Sequence, residues 1–288
     1  MSGDLCGKVF LVTGANVGIG RVTATELARR GGRVILAGRS EPRTAPVVEA
    51  IRKETGNPDV EFLQVDLADL DSVRSAAGTF LARKLPLHVL VNNAGLAGVR
   101  GLTPQGFETT FGTNHLGPFL LTLLLLDRLK ETGKETGDAR VVNVASRAHV
   151  RAKAIDWEAL RSPGTSTGGL DEYSVSKLAN VLFTAELARR LAGSGVTTYA
   201  LHPGVVATEI WRELPWGLRH LAKLFMITPE EGARTTLHCA TAPVTELENG
   251  AYYDSCKPVR PNRAACDPAL AAELWRRSVE WTGAPSSS

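Results

Sequence analysis

The chain has 288 residues, 43% hydrophobic and 22% charged, which is enough to bury a sizeable core and too balanced for a disordered or fibrous protein. Its 33 basic and 30 acidic residues leave a formal charge of +3 with no basic run, so nucleic acid has no electrostatic support as a partner. Four scattered cysteines, Cys6, Cys239, Cys256 and Cys266, without C-x-x-C spacing, and histidines without an H-x-x-x-H pair, argue against a disulfide framework and against a metal site.

Residues 1–7 lack the apolar core and cleavage site of a signal peptide, and a cytoplasmic protein is expected. Residues 8–13 (KVFLVT) read as the first strand and 22–30 as the first helix. Further strands follow at 33–37 (RVILA), 61–65 (EFLQV), 89–92 (VLVN), 140–145 (RVVNVA) and 196–201 (VTTYAL), all rich in β-branched and aliphatic residues. Helical spacing fills the gaps at 44–54, 70–83, 115–130 and 172–191. This alternation predicts an α/β protein: one Rossmann domain over residues 1–283, a doubly wound parallel sheet with helices on both faces. A low-complexity tail at 284–288 is expected to be disordered. The most apolar stretch, 119–126, contains Thr122 and ends before Asp127, short of the ~20 residues a membrane span requires, so it predicts a buried helix.

A glycine loop, Thr13-Gly14-Ala15-Asn16-Val17-Gly18-Ile19-Gly20, lies between the first strand and its helix. Glycines there permit a tight turn, and the free N–H groups of the helix start suit a pyrophosphate. Strand two ends Ala37-Gly38-Arg39, with a guanidinium where an NAD-selective site carries an acid. A 2′-phosphate suits that position, so NADP(H) is the expected cofactor; the bland alternative is an ordinary surface arginine. Tyr173 and Lys177, four residues apart, share a helix face. A phenol with an ordinary pKa of about 10 serves near neutrality only beside a cation, which Lys177 is expected to supply. Ser146 ends strand five, where a hydroxyl reaches a carbonyl oxygen. A solvated phenol and amine on an exposed helix would explain the tyrosine and lysine equally well if they stood alone.

They do not stand alone. The ordered set of the glycine loop, Asn92-Asn93-Ala94-Gly95, Asn114-His115-Leu116-Gly117-Pro118-Phe119, the strand ending at Ser146, Tyr173-x-x-x-Lys177 and His202-Pro203-Gly204 resembles the short-chain dehydrogenase/reductase family over nearly the whole chain. The resemblance implies a hydride-transferring oxidoreductase in which Tyr173 is the proton donor, Ser146 orients the carbonyl, Lys177 also holds the nicotinamide ribose and Asn114 supports a proton-relay water. It implies cofactor contacts from Gly14, Asn16, Gly18, Ile19, Gly20 and Arg39, and from Asp66 and Leu67 near the adenine. Asn93, Ala94 and Gly95 belong to the same set, Asn93 by tying the central strands together, as do Pro203, Gly204, Val206 and Thr208 around the carboxamide. Asp66 equally suits a helix cap for Ala68 onward.

The stretches 14–20 (GANVGIG), 177–184 (KLANVLFT) and 196–206 (VTTYALHPGVV) look closer to the retinol dehydrogenase branch. That implies a hydrophobic aldehyde or ketone and its alcohol, a retinoid among them. Two departures stand out: no apolar anchor opens the sequence, and a Gly/Ser/Thr-rich stretch occupies 162–169. The resemblance also implies a substrate lid at 209–227, whose Trp211, Trp216 and basic residues equally suit a packed helix or a membrane surface. A homodimer through 116–130 and 172–191 is a further implication. Against an oxidoreductase stand a serine hydrolase, from Gly164-x-Ser166-x-Gly168 and Ser174-x-x-Lys177, and a non-catalytic nucleotide-sensing protein. The hydrolase lacks a strand before its serine; the sensor predicts loss of Ser146, Tyr173 or Lys177, and all three are present.

Overall fold

The computed structural model describes residues 3–204 and 227–285. Six short apolar runs form the parallel centre of one sheet: β1 (Val9–Thr13), β2 (Arg33–Gly38), β3 (Val60–Gln64), β4 (Val89–Asn92), β5 (Ala139–Val144) and β6 (Val196–His202). β1, β4 and β5 are buried at every residue, which is why they read as continuous apolar runs without alternation. Two short strands absent from the sequence expectation extend the sheet. β7 (Tyr252–Asp254) runs parallel to β6, and β8 (Lys257–Pro258) closes the edge antiparallel to β7. At three and two residues they are too short to show a pattern of their own.

The strand order is β3-β2-β1-β4-β5-β6-β7-β8. The chain winds outward from β1 to β3, crosses back and resumes at β4, so the carboxyl ends of β1 and β4 flank the switch point where such sheets bind ligands. Successive strand residues feed opposite faces: Leu11, Leu90 and Val141 join one apolar cluster, while Phe10, Val12, Val91 and Val142 join the other. The protein is a single α/β domain of the Rossmann kind.

Helices α1 (Gly18–Arg29), α2 (Glu41–Thr55) and α3 (Leu70–Ala82) fall where helical spacing places them, within a few residues at each end. The expected single helix over 115–130 is broken. α4 (Thr109–Phe111) leads into a π-helical turn, Gly112–Leu116, followed by α5 (Gly117–Leu124) and α6 (Leu126–Thr136). At the start of α5 a Cβ on residue 117 would lie 2.2 Å from the Leu67 carbonyl oxygen, so glycine is what lets this helix approach the loop after β3. α7 (Leu170–Arg190) is followed by two helices the sequence reading did not include, α8 (Pro229–Thr241) and α9 (Pro268–Thr282). Both carry start signals: Thr228 and Glu231 form a reciprocal capping box, and Asp267 accepts hydrogen bonds from Ala269 and Leu270.

α9 lies across α5 and α7. The Trp275 ring meets Phe119 edge-on at 5.2 Å and stacks on Phe183 at 6.0 Å, with the Arg190 guanidinium 4.4 Å from its centroid. Ser278 Oγ is 2.9 Å from His115 Nε2, and complete burial lowers that histidine to about 3, keeping it neutral. Phe119, Leu120, Leu121 and Phe183 are therefore buried within one protomer. Phe119, in the apolar run expected to extend a homodimer contact, is met by the chain's own α9. Ala284, expected in a disordered tail, is 7% exposed and joins the apolar cluster under α9. No helix among the described residues is long and apolar enough to cross a membrane.

Because Trp275 is 5% exposed and anchors α9, Trp275→Ala is expected to cost about 3–5 kcal/mol in urea unfolding. A loss below about 1 kcal/mol would show that α9 adds little to the fold.

Candidate active site

At the switch point β1 and β4 are stitched together through side chains. Thr13 Oγ1 accepts from the backbone N–H groups of Asn93 and Ala94, both at 3.0 Å, and Asn93 Nδ2 donates to the carbonyls of Thr13 and Gly14 at 2.8 and 3.2 Å. This spends the Asn93 amide on strand β1 and makes its role structural. Gly14 has φ +65°, and a Cβ there would sit 2.8 Å from Ala94 Cα; one on Gly20 would sit 2.4 Å from Asn93 Nδ2. The loop approaches β4 only because both are glycine. Gly18, Ile19 and Gly20 open α1, beside half-buried Asn16. That helix start has no side-chain cap and no acidic residue in its first turn, so its N–H groups are left for an anion.

Arg39 stands exposed just past β2, and beside Gly38 the nearest atom to an added Cβ is Thr44 Oγ1 at 3.6 Å, an open approach. Asp66 is half-buried, and its Oδ1 accepts from Ala68 N at 3.0 Å. Asp66 therefore closes a local turn and does not cap the helix; the cap of α3 is Asp69, which accepts from Asp71 N. Leu67 is buried, its carbonyl against Gly117.

Three elements bring the polar cluster together. Ser146, two residues beyond β5, caps a 3₁₀ turn, Arg147–Arg151, with its Oγ accepting from Ala148 N at 3.1 Å. Tyr173 and Lys177 lie one turn apart on α7, the Lys177 ammonium 5.5 Å from the Tyr173 ring centroid and donating to the Val144 carbonyl at 2.7 Å. Asn114 sits inside the π turn, Gly112–Leu116. Its amide is clamped: Oδ1 accepts from Leu96 N at 2.9 Å, while Nδ2 donates to Leu96 O at 2.9 Å and Ser176 Oγ at 3.0 Å. Single π turns of this kind concentrate at functional sites. Gly95 completes the wall; a Cβ there would lie 3.4 Å from both Lys177 Nζ and Asn114 Oδ1.

The electrostatics differ from the sequence expectation. Burial raises the Tyr173 phenol above its ordinary 10, and its hydrogen bond with the Ser146 side chain offsets this only in part. Lys177, 3% exposed, is lowered to about 8 by burial. In the protein alone, burial is the dominant influence on both groups.

Pro203 and Gly204 follow β6, both half-buried. Val206 and Thr208, and all but Ile227 of the lid expected at 209–227, including Trp211 and Trp216, lie outside the described residues. Two carboxylates that brace the surrounding segments are not marked by any motif. Buried Glu108 caps α4, its carboxylate accepting from Thr110 N and Phe111 N at 2.8 and 2.7 Å. Glu172, next to Tyr173, holds the Gly/Ser/Thr-rich loop by accepting from Thr165 N and Ser166 N at 2.8 and 3.0 Å. The Ser166 hydroxyl also donates to that carboxylate, and the serine precedes a short 3₁₀ turn, Thr167–Gly169, with no strand before it. This is not a nucleophile elbow. The signal for Glu108 was its place ahead of Thr109-Thr110-Phe111, that for Glu172 its place in the first turn of α7.

Residues 8–159 match the family model for short chain dehydrogenases. The chain belongs to the short-chain dehydrogenase family. It is 45% identical over 286 residues to human retinol dehydrogenase 11, covering 98% of this chain and 88% of that protein. To human retinol dehydrogenase 12 it is 47% identical over 283 residues, covering 97% and 88%. Among solved structures, an uncharacterized protein from Mycobacterium paratuberculosis superposes with a TM-score of 0.79 at 37% identity, covering 98% of this chain and 96% of that one. These relatives place the chain close to the retinol dehydrogenase branch of the family, and hence among oxidoreductases acting on CH–OH groups.

Burying Lys177 carries a cost that depends on pH. The unfolded chain holds that proton up to about 10.5 and the folded one only to about 8, so the penalty is full at pH 7 and fades as pH rises between the two. Lys177→Met is therefore expected to stabilise the protein at pH 7, by at most about 3 kcal/mol, less the lost bond to Val144. The gain shrinks toward pH 10.5. Urea unfolding of both proteins across that range checks this; a difference independent of pH contradicts it.

Proposed function

We propose that the protein interconverts a hydrophobic aldehyde or ketone and its alcohol, of the retinal and retinol kind, with NADP(H) as the hydride carrier. The observation that carries this reading is the convergence of Ser146, Tyr173, Lys177 and Asn114 beside the glycine loop at the β1/β4 switch point. When bound, the nicotinamide donates or accepts the hydride. The residues around it suit such a group: the uncapped start of α1 would take the pyrophosphate, Asp66 and Leu67 would border the adenine, and Arg39 would meet a 2′-phosphate. Pro203 and Gly204, just past β6, would border the same group.

Ser146 donates a hydrogen bond to the substrate carbonyl oxygen and Tyr173 delivers its proton to that oxygen in reduction. A phenol raised by burial is neutral at pH 7, which is the proton-donating form. Lys177 has three N–H donors; one goes to Val144, leaving two for the ribose hydroxyls and a relay water supported by Asn114. The choice of NADP(H) rests on Gly38 and Arg39, since a guanidinium binds a phosphate through two charge-assisted bonds.

Two measurements test this. Tyr173→Phe is expected to lower kcat with retinal about 10²–10⁴-fold while leaving NADPH binding intact; a loss near twofold would assign proton transfer elsewhere. Steady-state kinetics are expected to favour NADPH over NADH, with Arg39→Ala eroding the preference through the cofactor KM. Equal or better efficiency with NADH in the unaltered protein would overturn the cofactor assignment.

A further inference from the structure

Ser146 is held by a chain of contacts that ends far from it in sequence. Asn262, between β8 and α9, is 113 residues from His149 along the chain. Its Nδ2 donates to the carbonyls of His149, Val150 and Ala152 at 3.1, 3.5 and 2.9 Å. Its Oδ1 accepts from Ala265 N at 3.0 Å. Three carbonyls on one side and an N–H on the other admit one orientation of the amide. One side chain thereby gathers the carbonyls of the turn that begins at Ser146, a segment with no strand or α-helix to stabilise it.

A second link runs through the imidazole of His149, which is 1% exposed. His149 Nδ1 is 2.7 Å from the Ser146 carbonyl oxygen, and Asn262 N is 3.4 Å from Nε2. A carbonyl only accepts and a backbone N–H only donates, so a single neutral tautomer, with the proton on Nδ1, satisfies both ends. The Tyr252 ring stands edge-on to the imidazole at 4.8 Å and fixes its plane. The turn reaches the reactive hydroxyl directly, because Ala148 N donates to Ser146 Oγ at 3.1 Å and so fixes the oxygen's position.

We infer that Asn262, acting through His149, positions the Ser146 hydroxyl for the substrate carbonyl. Both are positioning residues, and the inference rests on the role given to Ser146 above. Small misplacements of a catalytic group are costly, so Asn262→Ala is expected to lower kcat with retinal by about tenfold or more, with little change in the cofactor Kd.

The test is a double-variant comparison. Asn262→Ala and His149→Gln are each made in the unaltered protein and in Ser146→Ala, and kcat, NADPH Kd and thermal midpoint are measured for all. If the two residues act through Ser146, each lowers kcat in the unaltered protein and has no further effect once the hydroxyl is gone. Should Asn262→Ala yield no soluble protein, His149→Gln carries the same comparison. If Ser146→Ala reduces turnover but the other substitutions multiply that loss, or leave the unaltered protein's kcat unchanged, the positioning role is overturned and the reading of the site stands. If Ser146→Ala itself leaves turnover unchanged, the role of Ser146 fails and the inference with it.

Discussion

An ammonium group held out of water at the carboxyl end of β5 is the constraint around which the site is arranged. Lys177 donates to the Val144 carbonyl at 2.7 Å and is lowered to about 8, so its burial works against stability at neutral pH. Residues close in on it from each side. Gly95 leaves room for it beside Asn114, the π turn aims Asn114 inward, and α7 carries Tyr173 one turn before it. The arrangement makes sense as preorganisation: donors fixed in a dry place need no rearrangement when a polar substrate arrives. The fold supplies the rigidity for this through β1 and β4, which the Thr13–Asn93 bonds lock at the spacing the glycine loop requires.

The C-terminal part of the chain holds this arrangement from outside. α9 places Trp275 against Phe119 and Phe183, and thereby seals the outer faces of the two helices that bear Lys177 and follow Asn114. Between β8 and α9, Asn262 reaches back to the turn after β5. Residues late in the chain thus brace the turn that follows Ser146 and the helix that carries Tyr173.

Much of this was legible in the sequence, for identifiable reasons. Central strands are buried on both faces, so β1, β4 and β5 announce themselves as short runs rich in β-branched and aliphatic residues, and the glycine loop is a local signal tied to a strand before it and a helix after it. Tyr173 and Lys177 are related by helical spacing alone. What was not legible depends on contacts distant in the chain. β7 pairs on the edge that β6 offers, and β8 pairs on β7. The 115–130 helix is interrupted at Leu125, where the backbone leaves helical geometry, and Phe119 packs on Trp275 of α9, a contact made from late in the chain. The upward displacement of the Tyr173 phenol is of the same kind: spacing shows that a cation is near, but not how much water has left both groups. Asn262 could not be read at all, because nothing around it in sequence marks a residue that serves a turn 113 residues away.

The central claim is that this site transfers a hydride to a carbonyl carbon, and isotope transfer tests it most directly. The protein is incubated with retinal and NADPH carrying deuterium on either face of the nicotinamide C4, and the alcohol is analysed by mass spectrometry. The account predicts deuterium at the carbinol carbon from one face only, with none transferred by Tyr173→Phe beyond its residual turnover. Alcohol formed without label from either face, or no alcohol from any hydrophobic aldehyde or ketone with either nicotinamide cofactor, would contradict it.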